Sequence, residues 1–247
     1  MLPTPARPTD GGQPAAGTAQ SACSAGRQPV VRPVVRPVAR PLVRLVAALT
    51  VVVWAVIGLS GCGLIDQRQP VAVIGDSITW QSSEPINDAL GDRWRLDVRA
   101  VPGATMGDMV DVAGDMARLS PDQLVVNLGT NDASRKLPPE QSAADFERLL
   151  DQFSSVRCVH LVTVFDYMFT YADGFLTQWS QATNAALAEV AMRRGVEVID
   201  WTAVVFAEQV VPGSPDMLVD TVHPTPAGVE VLVDLYGDAL DRGCPGQ

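Results

Sequence analysis

Apolar residues fall along this chain in two alternating rhythms. Short apolar runs bounded by turn residues cover Val71–Ile74, Leu96–Val101, Leu124–Leu128, Val159–Phe165 and Val196–Ile199. Runs of this length, rich in β-branched residues, predict buried strands. Between them the spacing turns helical. Met106, Met109, Val110, Ala113 and Met116 share one face of a helix predicted over Thr105–Leu119. Phe146, Leu149 and Leu150 do the same over Pro139–Phe153, which opens on a proline. An Ala-rich helix over Gln178–Arg193 stops at Gly195, and Thr225–Leu240 carries Val229, Leu232, Val233 and Tyr236 on one face. Strands alternating with helices predict an α/β fold: three layers, α/β/α, around a five-stranded, mostly parallel sheet. The pattern gives no internal repeat and no second domain. In open sheets of this kind ligands bind beyond the carboxyl ends of the strands. Ser77, Gly103 and Asn131 fall at such ends, and Asp166 follows another.

The first part of the chain keeps neither rhythm. Residues 1–44 are rich in Pro, Gly, Ala, Gln and Arg, and residues 32–41 repeat an Arg-Pro unit. Proline at that density blocks helix and ladder alike, so this reads as an extended basic arm. Leu45 to Leu59 is then an apolar run of about fifteen residues, short for a membrane span but the size of a signal-peptide core. It ends in Leu59-Ser60-Gly61-Cys62, which resembles the bacterial lipoprotein box. That resemblance implies cleavage before Cys62, a diacylglycerol on its thiol, and a mature chain held to a membrane by two or more acyl chains. Residues 62–69 would form a short tether and 70–247 the folded domain. The alternative is an uncleaved signal anchor; both place the Arg-rich side in the cytoplasm and export the domain.

Removing residues 1–61 lowers Lys+Arg from 18 to 12 and Asp+Glu from 28 to 27, so the net charge goes from −10 to −15. A domain that acidic is a poor partner for nucleic acid or anionic headgroups. Of four cysteines, Cys23 and Cys62 belong to the leader and its box. Cys158 opens a predicted strand and Cys244 follows the last helix; in an exported domain they are candidates for a disulfide, with two free thiols as the other possibility. No Cys/His spacing matches a metal site.

Four blocks carry chemistry: Gly75-Asp76-Ser77-Ile78, the turn glycine Gly103, Gly129-Thr130-Asn131-Asp132, and Asp220-Thr221-Val222-His223-Pro224. They contain a nucleophile, a base, a carboxylate three residues from that base, and donors for an oxyanion, the set required for acyl transfer through serine. Taken singly, Ser77 and Asn131 also fit helix caps, Asp220 a solvated carboxylate and Gly103 a plain turn. There are two histidines. His160 falls inside a predicted strand and reads as a hydrogen-bonded core or edge residue; His223 falls in a turn before the last helix.

In this order the blocks resemble the SGNH, or GDSL-type, hydrolases, over roughly residues 70–242. The resemblance implies a flavodoxin-like sheet, Ser77 as nucleophile, His223 as general base and Asp220, rather than the nearby Asp216, as its orienting acid. It implies an oxyanion hole built from the Ser77 and Gly103 backbone N–H groups and the Asn131 amide, with Asp76 shaping the nucleophile turn. No Gly-x-Ser-x-Gly elbow surrounds Ser77. Neither cofactor nor metal is expected. Trp80, three residues past Ser77, is a candidate wall beside the nucleophile. The aromatic stretch Phe165–Phe175, with Tyr167 and Phe169, is a candidate lid or acyl-contacting wall, or else a helix that packs its rings into the core. Trp179 and Trp201 read as core. The expected activity is hydrolysis of carboxylic esters (acetyl or short acyl esters, or lipids) outside the cytoplasm. The alternatives are O-acyl transfer to an envelope polysaccharide and an inactive envelope-binding protein.

Overall fold

The computed structural model describes residues 66–209 and 216–244. The basic arm, the apolar run and Cys62 lie outside the described residues. Among the described residues no helix is long and apolar enough to cross a membrane.

Strands β1 (Gln69–Gly75), β2 (Trp94–Ala100), β3 (Gln123–Asn127), β4 (Cys158–Val162) and β7 (Glu197–Ile199) form one sheet in the order β2-β1-β3-β4-β7. Every pairing in it is parallel, so the sheet is more regular than the mostly parallel one expected. A short antiparallel hairpin, β5 (Phe169–Thr170) and β6 (Gly174–Phe175), stands apart. The helices are α1 (Ser77–Leu90), α2 (Val110–Ala117), α3 (Thr130–Ser134), α4 (Pro139–Gln152), α5 (Thr177–Arg194), α6 (Trp201–Gln209) and α7 (Pro226–Arg242).

Alternation along each strand divides the core into two layers. Val71, Val73, Val125 and Val162 face one side and pack with Ile86 and Leu90 of α1, Trp201 of α6, and Leu232 and Tyr236 of α7. Ala72, Ile74, Leu124, Val126 and Leu161 face the other, against Met116 of α2, Phe146 and Leu149 of α4, and Leu187 and Val190 of α5. Both faces of a parallel sheet are thus covered, as its apolar runs require.

The structure adds α3 and α6, which the spacing does not predict, and departs from the predicted elements in four further places. Helix α1 begins at Ser77 itself and contains Pro85, which breaks the helical signal in the sequence. The predicted Thr105–Leu119 helix starts as a 3₁₀ turn, Gly107–Met109, before α2. β4 ends at Val162 rather than Phe165. The aromatic stretch is not a helix: a turn after β4 leads into the β5–β6 hairpin, which makes up its second half. Cys158 and Cys244 are joined as a disulfide that ties the start of β4 to the end of the chain.

Candidate active site

Register decides what meets at the top of the sheet. Gly75 of β1 is level with Ala100 of β2 and with Asn127 of β3. The segments that follow, carrying Ser77, Gly103 and Asn131, therefore leave the sheet at one level. They leave where the strand order reverses between β1 and β3, the place where α/β sheets open a crevice.

Gly75 lets the chain pass from strand to helix without a loop. A Cβ there would lie 2.0 Å from Thr79 Oγ1 in the first turn of α1, so only glycine fits. Asp76 caps the helix, its Oδ1 accepting the Ile78 N–H at 3.0 Å. Ser77 is then the first helical residue. Its N–H has no acceptor inside the helix and sits at the positive end of the helix dipole.

The base arrives on a loop just before α7. Leu218 and Pro224 pair as an antiparallel bridge, and the Val219 N–H donates to His223 O at 2.8 Å. Within this loop Asp220 Oδ1 accepts the N–H groups of Val222 and His223 at 3.1 and 2.7 Å. Its Oδ2 lies 2.8 Å from His223 Nδ1, and His223 Nε2 lies 2.9 Å from Ser77 Oγ. A carboxylate can only accept from Nδ1, so the proton sits there and Nε2 presents its lone pair to the serine hydroxyl. Burial pushes the Asp220 carboxyl up, but the His223 N–H, the His223 ring and the Val222 N–H outweigh it and hold the group below its ordinary value. Asp220 is therefore ionised at neutral pH, and can stabilise a proton gained by the ring.

Opposite lies the oxyanion side. Gly103 has φ +80°, a backbone region open to glycine; a Cβ there would meet only Arg135 Nη2, at 3.9 Å. The need for glycine is therefore backbone conformation, not crowding by the protein. Asn131, in α3, donates from Nδ2 to Asp76 Oδ2 and to Ala104 O, both at 3.0 Å. To serve an oxyanion, the amide must share or redirect one of these hydrogens. Asp76 is wholly buried, and burial raises its carboxyl to about 6, while the Ile78 N–H, His223 and the Asn131 amide pull the other way.

Three residues hold this side together, and to two of them, Asp132 and Arg135, the sequence reading gives no role. Asp76 braces Asn131, as above. Asp132 is also wholly buried; its Oδ2 accepts the Met106 N–H at 2.9 Å and fastens the Gly103 loop to α3. Burial raises the Asp132 carboxyl. Arg135 donates from Nη2 to Gly103 O at 2.6 Å. Both aspartates lie inside the quoted motifs, but nothing in a linear sequence says which backbone they hold.

A cavity of about 570 Å³ opens over these groups. Ser77, Asn131, Asp220 and His223 line it, with Thr130 and Ser134 on one side and Met168, Phe169, Tyr171, Leu176, Val219 and Val222 on the other. Gly103 is outside the lining; its neighbour Ala104 accepts from the Asn131 amide that lines it. Trp80 is also outside: it projects from α1 and is 58% exposed. Tyr167 is outside too, because its ring packs beside Phe165 and Phe206, centroids 5.8 Å apart in each pair. Of the proposed aromatic wall, Phe169 is in place and Tyr171 joins it. A larger, polar cleft of about 740 Å³ at the amino ends of the strands, by Gln123, Arg157 and Cys158, pairs no nucleophile with a base. Cys158, His160 and Cys244 are close enough to share a metal ion, but the sulfurs are bonded to each other, which leaves one ligand.

Comparison with known proteins bears on the family and the fold. The family model described as GDSL-like lipase/acylhydrolase matches residues 73–231. A GDSL-like lipase from Bacteroides thetaiotaomicron superposes with a TM-score of 0.62 at 18% identity, over 76% of this chain and 96% of that one. A lipase/acylhydrolase from Enterococcus faecalis gives 0.59 at 21% identity, over 72% and 99%. An acetyl xylan esterase, AlAXEase, gives 0.60 at 17% identity, over 69% and 99%. At such identities the likeness speaks for the fold. No curated protein sequence matches.

Proposed function

The chain belongs to the GDSL-like lipase/acylhydrolase family, and from that premise we propose a serine esterase on the extracytoplasmic face, anchored through Cys62, that cleaves carboxylic esters by way of an acyl-enzyme on Ser77. The observation that carries this reading is the continuous relay from Asp220 Oδ2 through His223 to Ser77 Oγ, with contacts of 2.8 and 2.9 Å.

Ser77 Oγ attacks the ester carbonyl carbon as His223 Nε2 takes the hydroxyl proton. The carbonyl oxygen becomes an oxyanion, facing the Ser77 and Gly103 N–H groups and the Asn131 amide. The C–O bond to the alcohol breaks, and His223 gives that oxygen its proton. Water, deprotonated by the same nitrogen, attacks the acyl-Ser77 carbonyl. The carboxylic acid leaves and the proton returns to Ser77. Asp220 holds the ring in the right tautomer throughout and stabilises its cationic form.

The test is turnover of p-nitrophenyl esters from acetate to octanoate by the full chain, beside Ser77→Ala. We expect the wild type to hydrolyse esters and Ser77→Ala to lose at least about 10⁴-fold while staying folded. Ester hydrolysis that survives the substitution ends the serine mechanism. The anchor is tested separately: mass spectrometry of the mature protein should find a diacylglycerol-modified Cys62 as first residue, and an unmodified or uncleaved terminus refutes it.

A further inference from the structure

Three residues other than glycine have positive φ among the described residues: Ser120 at 51°, Lys136 at 56° and Thr221 at 66°. Two of these three hold the same piece of structure, the β5–β6 hairpin. In the hairpin Phe169 pairs with Phe175 and Thr170 with Gly174. Phe169, Thr170 and Tyr171 line the catalytic cavity. On one bank Thr221 Oγ1 accepts the Phe169 N–H at 2.8 Å and donates to Phe169 O at 3.2 Å. On the other, Lys136 Nζ, two residues past the end of α3, lies 2.5 Å from Asp173 Oδ1. The hairpin thus spans the cavity from the Asn131 helix to the Asp220–His223 loop.

Thr221 is the more informative of the two. A β-branched residue in the left-handed region is an outlier, tolerated only where its surroundings hold it there. Glycine would adopt that backbone freely. What threonine adds is one hydroxyl, and that hydroxyl satisfies both backbone groups of Phe169. A two-stranded hairpin is marginal by itself, so such a clasp has a large say in where it sits. Thr221 also stands next to Asp220 and two residues from His223. A group pressing on Phe169 therefore presses on the loop that carries the base.

We propose that Thr221 is a positioning residue that sets acyl-group selectivity, by clasping the Phe169–Phe175 hairpin as the acyl-side wall of the cavity to the catalytic loop. This rests on the esterase reading above. Three substitutions in the full chain separate hydroxyl from backbone. Thr221→Val keeps the β-branch and loses the hydroxyl, Thr221→Gly loses the hydroxyl and relieves the backbone, and Thr221→Ser keeps the hydroxyl. Two readouts are taken: kcat/KM for p-nitrophenyl octanoate relative to acetate, and hydrogen exchange at the Phe169 amide without any ester. We expect the ratio to fall about tenfold and the amide to exchange about tenfold faster in the Val and Gly variants alike, with Ser within about twofold of wild type. Tenfold is the effect of about one net hydrogen bond.

An unchanged Phe169 amide in the Val and Gly variants overturns the clasp. A faster amide with an unaltered ratio, or with equal losses at every chain length, overturns the role in selectivity. If the wild type cleaves no ester while the amide responds as expected, the esterase reading falls and the acyl role with it, and the clasp alone stands.

Discussion

The two histidines of this chain are held in opposite tautomers, and that contrast explains why one is set up for chemistry and the other is not. His223 donates its Nδ1–H to Asp220 and leaves Nε2 to face Ser77. His160 sits within β4, 1% exposed. There Gln123 Nε2 donates to Leu240 O at 3.1 Å, which turns its Oε1 toward His160 Nε2, also at 3.1 Å. An acceptor at that distance puts the His160 proton on Nε2, and its bare Nδ1 has no hydrogen-bond partner. Burial, with a smaller push from Arg242, lowers the His160 ring to about 4. It is a neutral core group from neutral pH down to moderately acid pH. A carboxylate at Nδ1 makes a histidine a base, whereas burial beside an amide makes it packing.

That contrast can be broken from either side. The largest expected effect is His223→Gln, a loss of at least about 10⁴-fold in ester turnover with the fold intact by circular dichroism. His160→Gln should keep turnover within about twofold; a comparable loss there would erase the distinction. Asp220→Asn should cost roughly 10²–10⁴-fold in kcat, because the amide no longer fixes the tautomer. Retention of full kcat would show that the loop backbone alone orients the ring.

The next effect is on stability. Replacing Cys158 and Cys244 together by alanine removes the link across 86 residues of sequence beside His160. We expect a loss of about 2–4 kcal/mol in urea denaturation, with kcat within about twofold. A large loss of kcat with normal stability would mean that the two ends of the sheet communicate.

The smallest effect is in pH dependence. A folded-state value of about 4 for His160, against an ordinary 6.5, means that the unfolded chain binds more protons between these limits. The stability it contributes is complete above pH 6.5 and is lost as pH falls toward 4, by up to about 3 kcal/mol. Asp76 works in reverse, its carboxyl raised to about 6, so the folded state gains as pH falls from 6 toward 4. Comparing wild type with His160→Gln cancels the Asp76 contribution. The wild type should lose stability more steeply than the variant between pH 6.5 and 4.5, and parallel curves would refute the assignment.

Much of this molecule was legible in the chain itself. Short apolar runs and helical spacing gave five strands and four of the helices, because burial on both faces of a parallel sheet writes itself into apolar runs. The order of the four blocks, through its resemblance to the SGNH hydrolases, also singled out Ser77, Asp220 and His223. The helix after Ser77 was hidden by Pro85. Trp80 lies three residues past Ser77 and Tyr167 in an aromatic stretch after a strand, but position in sequence does not fix direction. Trp80 points off α1 into solvent, while Tyr167 turns to Phe165 and Phe206.

What the sequence by itself determined was therefore composition: a nucleophile and an amide on segments that leave strand ends, and a carboxylate and a base in a turn before the last helix. The tertiary structure alone decided how they act on one another. Parallel register brought Gly75, Ala100 and Asn127 level, so segments distant in sequence meet. Burial turned Asp76 and Asp132 from motif letters into braces for Asn131 and the Gly103 loop. Thr221 became a clasp only because the hairpin folded back over its loop. Periodicity reports which side of an element avoids water, a local property. Hydrogen-bond partners and tautomers depend on which distant backbone arrives there, and only the packed fold sets that.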